Sequence, residues 1–501
     1  MLCLFIQALV NITNIMSSLK EKSLKGLFWD FIGRIGLQGV GFFVSIFLAR
    51  ILAPEDFGLL AIITVLIHLA GVFLDFGFST ALIQRAKVTD SHYASVFYMN
   101  VTLGLILASL IFCLAPAVAS FYDNAQLLNL TRFMSLSFIV SSLGNVLRAR
   151  LRREMKFKAI SVANIVAAVI SGTGALYLAW AGYGVWSLAV QSITNQFLAN
   201  IILFVLSPTR INLRFSFQSL KDLWAFSSRM FFSGLTDTLF INADSLVIGK
   251  VLNISTLGFY YRAKSLENFS MRYTASTIAS VLLPSLSSLQ DNPEKLKQAV
   301  VKVFHILSII SYLGCGLLLV SSRELIILIF SAKWEPSIIM FQILIAGAFA
   351  TQLFSLFYNT LLSTGNVDTY FKINLLSKTI GCCNFATLLF WDLKTYLVLF
   401  TGIRLITFFL GMYHVSKILH VGNEFYKQTA KYLIIYFISL ILSFWFKTIF
   451  TVQDLYLSLL VSALFFGVIF LILTSFMQGE GFKIMQTELI IPLRKKASRN
   501  C

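Results

Sequence analysis

About fourteen apolar stretches, each near the roughly 20 residues a helix needs to cross a bilayer, run along the chain with mostly short polar connections between them. Their approximate limits are 27–50, 57–84, 93–119, 126–148, 157–180, 184–207, 222–250, 256–288, 299–320, 336–363, 369–391, 395–418, 428–447 and 455–477. No water-soluble core absorbs that much apolar sequence. Of 501 residues 57% are hydrophobic, 12% are charged and 48 are phenylalanine, and the mean hydropathy is +0.82, so a soluble fold would expose large apolar patches. In lipid every backbone amide must be paired within the protein, and runs of this length satisfy that as helices. The expected fold is an all-α integral membrane protein with about fourteen transmembrane helices.

The net charge of +18 suggests a nucleic-acid partner only until the basic residues are placed. With the N-terminus in the cytoplasm, that side receives Lys20, Lys22, Lys25, Arg85, Lys87, the run RARLRREMKFK at 148–158, Arg210, Arg214, Lys221, Lys295, Lys297, Lys302, Lys417, Lys427, Lys431 and the tail RKKASR from Arg494. The opposite side receives only Arg50, Lys250, Arg323, Lys333, Lys394 and Lys447. This is the positive-inside asymmetry of a multi-pass membrane protein with both termini in the cytoplasm, and it accounts for most of the charge without nucleic acid. The first 15 residues lack the basic start and the small-residue cleavage site of a signal peptide and are too short to span. Met16, which opens MSSLKEKSLKGLFWDF, is the expected initiator.

Cys3, Cys113, Cys315, Cys382, Cys383 and Cys501 have no CxxC spacing, and the five histidines form no HExxH pair. Neither a disulfide framework nor a metal site is indicated. No glycine-rich loop ends in GK[ST], so ATP hydrolysis at a P-loop is excluded and no cofactor is expected.

The chain also repeats itself. LARILAPEDFGLLA from Leu48 is echoed by IGKVLNISTLGFYY from Ile248: Arg50 matches Lys250, Leu52 matches Leu252 and Gly58 matches Gly258, 258 − 58 = 200. Upstream, Trp29, Phe31 and Arg34 match Trp224, Phe226 and Arg229 with a shift of 195. Six spans separate the copies, so both insert in the same orientation. The expected organisation is a cytoplasmic segment 1–26, a six-helix lobe 27–207, a cytoplasmic linker 208–221, a second parallel six-helix lobe 222–418, two further helices in 419–477 and a basic cytoplasmic tail 478–501. Transporters built from paired lobes enclose a central site and open it to each side in turn.

Several charges fall inside the spans: Arg34, Arg132, Arg229, Arg262, Lys264, Arg272, Lys378 and Arg404, with Asp75, Asp237, Asp244 and Glu267. Each basic one costs about 2.5–3.5 kcal/mol at a helix centre, which favours facing protein or a wet cavity. Arg262, Lys264 and Arg404 are close enough to span ends to snorkel, and Asp30 is an i,i+4 partner for Arg34. Arg34, Arg229, Asp237, Glu267 and Arg272 sit deeper or cluster on the repeated helices. They are the candidate cavity residues, with a basic excess that suits an anionic, phosphorylated substrate through the planar Arg fork. Gln191 and Asn195, one turn apart, add a polar stripe able to bond sugar hydroxyls or to join helices.

The segment RLRREMKFKAISVANIVAAVISGTGALYLAWAGYGVWSLAVQ (150–191) closely resembles the polysaccharide-transporter branch of the multidrug/oligosaccharidyl-lipid/polysaccharide flippase superfamily, which includes the Wzx-type flippases. LARILAPEDFGLLA, LGFYYRAKSLENF (257–269) and VLLPSLSSLQDNPEKLK (281–297) resemble it too. The resemblance implies a MATE-like fold with two extra C-terminal helices. It also implies export across the bacterial inner membrane of a repeat unit carried on undecaprenyl pyrophosphate, for O-antigen, capsule or exopolysaccharide, by alternating access. It implies no enzymatic activity. Membrane lipids, a polysaccharide polymerase and a chain-length regulator are the implied partners. In related lipid II flippases arginines on the first and eighth helices line the cavity, and Arg34 and Arg272 are the corresponding positions here. A MATE-like drug or cation antiporter would want an acidic cavity, and a polymerase or ligase a larger extracytoplasmic loop than SSRELIILIFSAKWEP (321–336).

Overall fold

The computed structural model describes residues 19–207, 214–271, 286–287, 289, 292–450 and 453–477. Met16, the residues before it, Arg272 and the tail from Arg494 lie outside them. Among the described residues every regular element is helical, and twelve helices are long and apolar enough to cross a membrane. Of the fourteen expected spans, the two not in that set correspond to α8 (Phe217–Val251) and α9 (Ile254–Met271). At 1.5 Å per residue the 35 residues of α8 reach about 52 Å. Its length suffices to span, and what sets it apart is the dilution of its hydropathy by Arg229, Asp237, Asn242 and Asp244.

Several helices start where the sequence supplies a side-chain cap. Asn292 accepts from Lys295 N (3.1 Å) ahead of Pro293, Asp392 from Thr395 N (2.9 Å), and Asp454 from Leu457 N (2.9 Å). Each satisfies one of the amide donors that a helix start leaves open. Between caps, large side chains such as Phe43, Trp180, Leu464 and Phe476 remain exposed, which lipid contact explains and water does not.

Two compact units divide the chain at Gly258 and Phe259. The first contains α1 (Leu19–Ile51), α2 (Pro54–Asp75), α3 (Phe78–Gln84), α4 (Asp90–Phe121), α5 (Gln126–Arg153), α6 (Phe157–Trp180), α7 (Val185–Leu206), α8 and the start of α9. Here α4 packs on α5, α6 on α7, and α1 on α6, while α2 touches α4, α5, α7 and α8. The second unit continues through α10 (Pro293–Val320), α11 (Ser322–Phe330), α12 (Pro336–Ala346), α13 (Ala348–Ser363), α14 (Val367–Asn384), α15 (Thr387–Phe390), α16 (Leu393–Ile418), α17 (Glu424–Ile449) and α18 (Leu455–Phe476). In it α10 packs against α12, α13, α17 and α18, and α16 against α12, α13 and α14.

The echo in the sequence is a structural one. Helix α1 ends at Ile51 and α2 starts at Pro54; α8 ends at Val251 and α9 starts at Ile254; 251 − 51 = 254 − 54 = 200. The two copies also touch each other. A Cβ on Gly58 would stand 1.9 Å from the Ile254 carbonyl oxygen, and one on Gly258 would stand 1.9 Å from the Pro54 carbonyl oxygen. Because 254 and 258 are 54 and 58 shifted by 200, the contact is reciprocal. Only glycine permits backbones to cross this closely. The repeated connection thus packs against its own copy.

The basic connection at 148–158 does more than carry charge. Arg153 donates from Nη1 to the carbonyls of Leu82 and Arg85 (both 2.6 Å) and from Nη2 to that of Ala86 (2.8 Å), placing a cation on the negative end of α3. Arg85 in turn donates to the Asp222 carbonyl at 2.6 Å and to its carboxylate at 3.2 Å. Glu154 is bonded by Lys156 at 2.7 Å and Arg150 at 3.0 Å, and the Lys156 ammonium is the main reason its carboxyl lies below the usual carboxylate range.

Candidate functional site

Four helices of the first unit each bring two polar residues, one turn apart, to the same cleft. Thr64 and His68 come from α2, Ser141 and Asn145 from α5, Ser192 and Gln196 from α7, and Thr238 and Asn242 from α8; the cleft encloses about 540 Å³. The i,i+4 spacing puts each pair on one helix face, and the packing of α2 against α5, α7 and α8 makes those faces converge. The volume is in the range of small-ligand sites.

Inside it the polar groups are partly tied to one another. Ser141 Oγ donates to Gln196 Oε1 at 2.5 Å, Asn242 Nδ2 donates to the Thr238 carbonyl at 2.8 Å, and His68 shares a hydrogen bond with the Asn242 side chain. No carboxylate, lysine or arginine lines it. Hydroxyls and amides that both donate and accept match a neutral, hydroxyl-rich ligand, whereas a cation would leave its charge uncompensated. Among the described residues no group of three or more His, Cys, Asp or Glu is placed to hold a metal ion.

The residues singled out from sequence are placed differently. Gln191 and Asn195 lie one position before Ser192 and Gln196 on α7, which turns them about 100° away around the helix. Asn195 donates to Ser171 Oγ at 3.2 Å, a bond that joins α7 to α6. Arg34 is not buried: its side chain is 74% exposed and its Nε bonds Asp30 at 2.7 Å. Arg229 and Asp237 are likewise exposed on α8. Arg272 lies outside the described residues. Glu267 belongs to the second unit, where it is 3% exposed and takes Arg404 Nη1 at 2.5 Å. No hydrogen bond joins Arg34, Arg229, Gln191 or Asn195 to one another among the described residues.

Snorkelling proves wrong for two basic residues. Arg404 is held inside by Glu267 and by the Leu344 carbonyl at 3.3 Å. Arg262 is 3% exposed, with its guanidinium 4.6 Å from the Phe330 ring centre and 5.1 Å from that of Trp334. Aromatic faces stabilise a cation that water no longer reaches. Asp75 is satisfied locally, by Ser79 N at 3.1 Å, Ser79 Oγ at 2.5 Å and Asn100 Nδ2 at 3.5 Å.

A cleft of neutral hydrogen-bonding groups set among membrane-length helices fits what the chain is similar to. The family described as "Polysaccharide biosynthesis protein" matches residues 47–339, more than half of the chain. The chain belongs to the polysaccharide biosynthesis protein family. Among the relatives of this polysaccharide biosynthesis protein is the lipopolysaccharide biosynthesis protein WzxC of Escherichia coli (strain K12), 26% identical over 72% of this chain and 73% of its own. Another is the succinoglycan biosynthesis transport protein ExoT of Rhizobium meliloti (strain 1021), 26% identical over 54% and 55%. In fold it is similar to the lipid II flippase MurJ in an inward closed conformation, with TM-score 0.70, 15% identity and coverage of 89% of this chain and 98% of that one. It is also similar to an inward-facing MATE transporter of the MOP superfamily, with TM-score 0.61, 15% identity and coverage of 76% and 94%. At 15% identity these likenesses show a shared helical membrane fold.

The eight cleft residues were readable as TVLIH, SSLGN, SITNQ and TLFIN, each a polar pair at i,i+4 inside an apolar span. What betrays the site is the recurrence of that pattern on four helices.

Proposed function

We propose that this protein flips undecaprenyl-pyrophosphate-linked oligosaccharide repeat units across the bacterial inner membrane by alternating access of its two halves. The observation that carries the reading is the cleft built from four neutral polar pairs. Its groups suit sugar hydroxyls, while the polyprenyl tail stays in lipid among the exposed apolar side chains of the spans. Arg34, Arg229 and Arg272 are assigned to the pyrophosphate. Exposure supports this for the two described residues: Arg229 is open to its surroundings on α8, and Arg34, whose Nε is held by Asp30, keeps its two terminal nitrogens for phosphate. The released unit passes to a polysaccharide polymerase working with a chain-length regulator. A drug or cation antiporter is disfavoured, because its cleft would need a carboxylate.

Replacing Gln196 or Asn242 with Ala removes hydrogen-bonding groups without removing charge. Each is expected to lower surface polysaccharide about tenfold, the equivalent of one lost hydrogen bond of about 1.4 kcal/mol, at normal abundance in the membrane. Asn195→Ala is expected to change abundance first, because Asn195 joins α7 to α6. Normal export from a Gln196→Ala/Asn242→Ala double variant contradicts the assignment.

The orientation proposed with this function has the 148–158 connection in the cytoplasm. In intact cells a cysteine introduced near Arg153 should resist an impermeant thiol reagent, and one near Ala53 should react. The opposite pattern inverts the topology.

A further inference from the structure

The second unit hides a polar seam that the proposed cleft does not use. On α10, His305, Ser308, Ser311, Tyr312 and Cys315 follow the spacing of one helix face, and all are at most 2% exposed. The helix packed beside it, α17, presents Thr429, Tyr432, Tyr436, Ser439 and Ser443 at the same kind of spacing, again all at most 2% exposed. Helix interfaces in this class of protein are normally apolar or small, with occasional polar joints. Ten buried polar or sulfur-bearing side chains on two facing stripes form something else.

Many of these groups have their hydrogen-bonding capacity unmet by protein. The hydroxyls of Ser308, Ser311, Tyr312, Tyr436 and Ser439, and Oε1 of Gln352 from α13, are buried without a protein partner. Such groups cost about 1–3 kcal/mol each if left dry, and buried polar atoms are normally satisfied. Water is the group that fits here, since it needs two to four polar partners and they are clustered. The Tyr312 ring lies 5.6 Å from that of Tyr436 and 6.1 Å from that of Tyr432.

The seam has a charged group at each end. At one end His305 Nε2 is 4.0 Å from the Glu424 carboxylate, which is 38% exposed. At the other, Cys315 lies within the field of Glu267 and Arg404, the buried ion pair. The titratable and charged groups facing the seam are Glu267 from α9, His305, Tyr312 and Cys315 from α10, Arg404 from α16, and Glu424, Tyr432 and Tyr436 from α17. Helix α13 offers the neutral Gln352, and α18 closes the side with the Phe466 ring against Gly316.

We propose that this seam is water-filled and conducts protons between Glu424 and the Glu267–Arg404 pair. A proton gradient would thereby drive the transport proposed above, and that last clause rests on the transport reading. In the proposed step a proton from water on the membrane face opposite Glu424 passes to the Glu267 carboxylate, which becomes a neutral acid. Arg404 loses its ionic partner and keeps the Leu344 carbonyl. Release of the proton along the seam to water at Glu424 restores the pair. A chain of hydroxyls suits this because each one both donates and accepts; a bare metal cation would need a carboxylate cage that the seam lacks.

Two measurements test the proposal. In nanodiscs, hydroxyl-radical footprinting is expected to oxidise Tyr312, Tyr432 and Tyr436 at rates comparable with the exposed Tyr177, while the equally buried Phe304 and Phe357 stay protected. Protection of all three tyrosines overturns the water-filled seam. In proteoliposomes, flipping of the lipid-linked repeat unit extracted from a strain lacking the gene is followed with and without a pH gradient. One unit is expected to speed the wild type by up to about tenfold for one coupled proton. Tyr312→Phe/Tyr436→Phe keeps the rings and is expected to keep the gradient-free rate and lose the response. A wild type indifferent to the gradient, or a double variant that responds like wild type, overturns the proton track. No flipping by any form sinks the transport reading instead, and footprinting still decides whether the seam holds water.

Discussion

Gly58→Ala and Gly258→Ala are each expected to cut polysaccharide export at least tenfold. The added Cβ would sit 1.9 Å from a carbonyl oxygen of the other copy, Ile254 in one case and Pro54 in the other. Ordinary contact begins near 3.4 Å, and the obstructing atom is backbone, which has no rotamer to escape into. The crossing must therefore open by more than 1 Å, at a cost at or above the roughly 1–3 kcal/mol typical of overpacking. Gly39→Ala and Gly41→Ala are the controls. Nothing lies within 4 Å of a Cβ at either position, so both should be silent or slightly stabilising, alanine being the better helix former. Export together with melting temperature in detergent checks the set, and wild-type behaviour of both Gly58→Ala and Gly258→Ala rejects the reciprocal crossing.

Arg404→Ala is expected to be the most damaging single change of charge in the second unit. It leaves the Glu267 carboxylate, 4% exposed at the side chain, without its cation. Breaking a buried pair from one side costs about 3–5 kcal/mol, because the surviving charge stays desolvated, and a protein of ordinary stability loses much of its folded population at that cost. Abundance should collapse. Removing both charges, as Glu267→Gln with Arg404→Met, should restore it in quantitative membrane blots. If Arg404→Ala accumulates normally, or the double variant is as poor as the single one, the pair is not the structural fault line described here.

Much of the architecture was legible because lipid imposes a simple rule: apolar runs of span length must become helices, and the helices appear where the runs are. The repeat was legible too, through Gly58 and Gly258, although nothing in one dimension says that the copies touch. The site was harder to read. Charge inside a span singles out Arg34, Arg229 and Glu267 through their depth and their place on the repeated helices. Depth does not tell which way a side chain points: Arg34 turns outward to Asp30, and Glu267 inward to Arg404. On α7 the sequence points to Gln191 and Asn195, one position before the Ser192 and Gln196 that line the cleft, because an average over an apolar helix fixes its length and leaves its rotation open. The tyrosines of α10 and α17 escaped notice for a related reason. A tyrosine in an apolar run reads as hydrophobic, and only packing shows that its hydroxyl is shut in.

Flipping is tested most directly by the distribution of lipid-linked repeat units between the two faces of the inner membrane in cells lacking the gene. Complete repeat units should accumulate on the cytoplasmic face, out of reach of an impermeant glycosidase added to spheroplasts, while surface polysaccharide disappears; wild-type protein should restore both, and the Gln196→Ala/Asn242→Ala variant neither. Complete units reaching the outer face at the normal rate, with only polymer missing, would contradict the account and assign the chain to a step after transport.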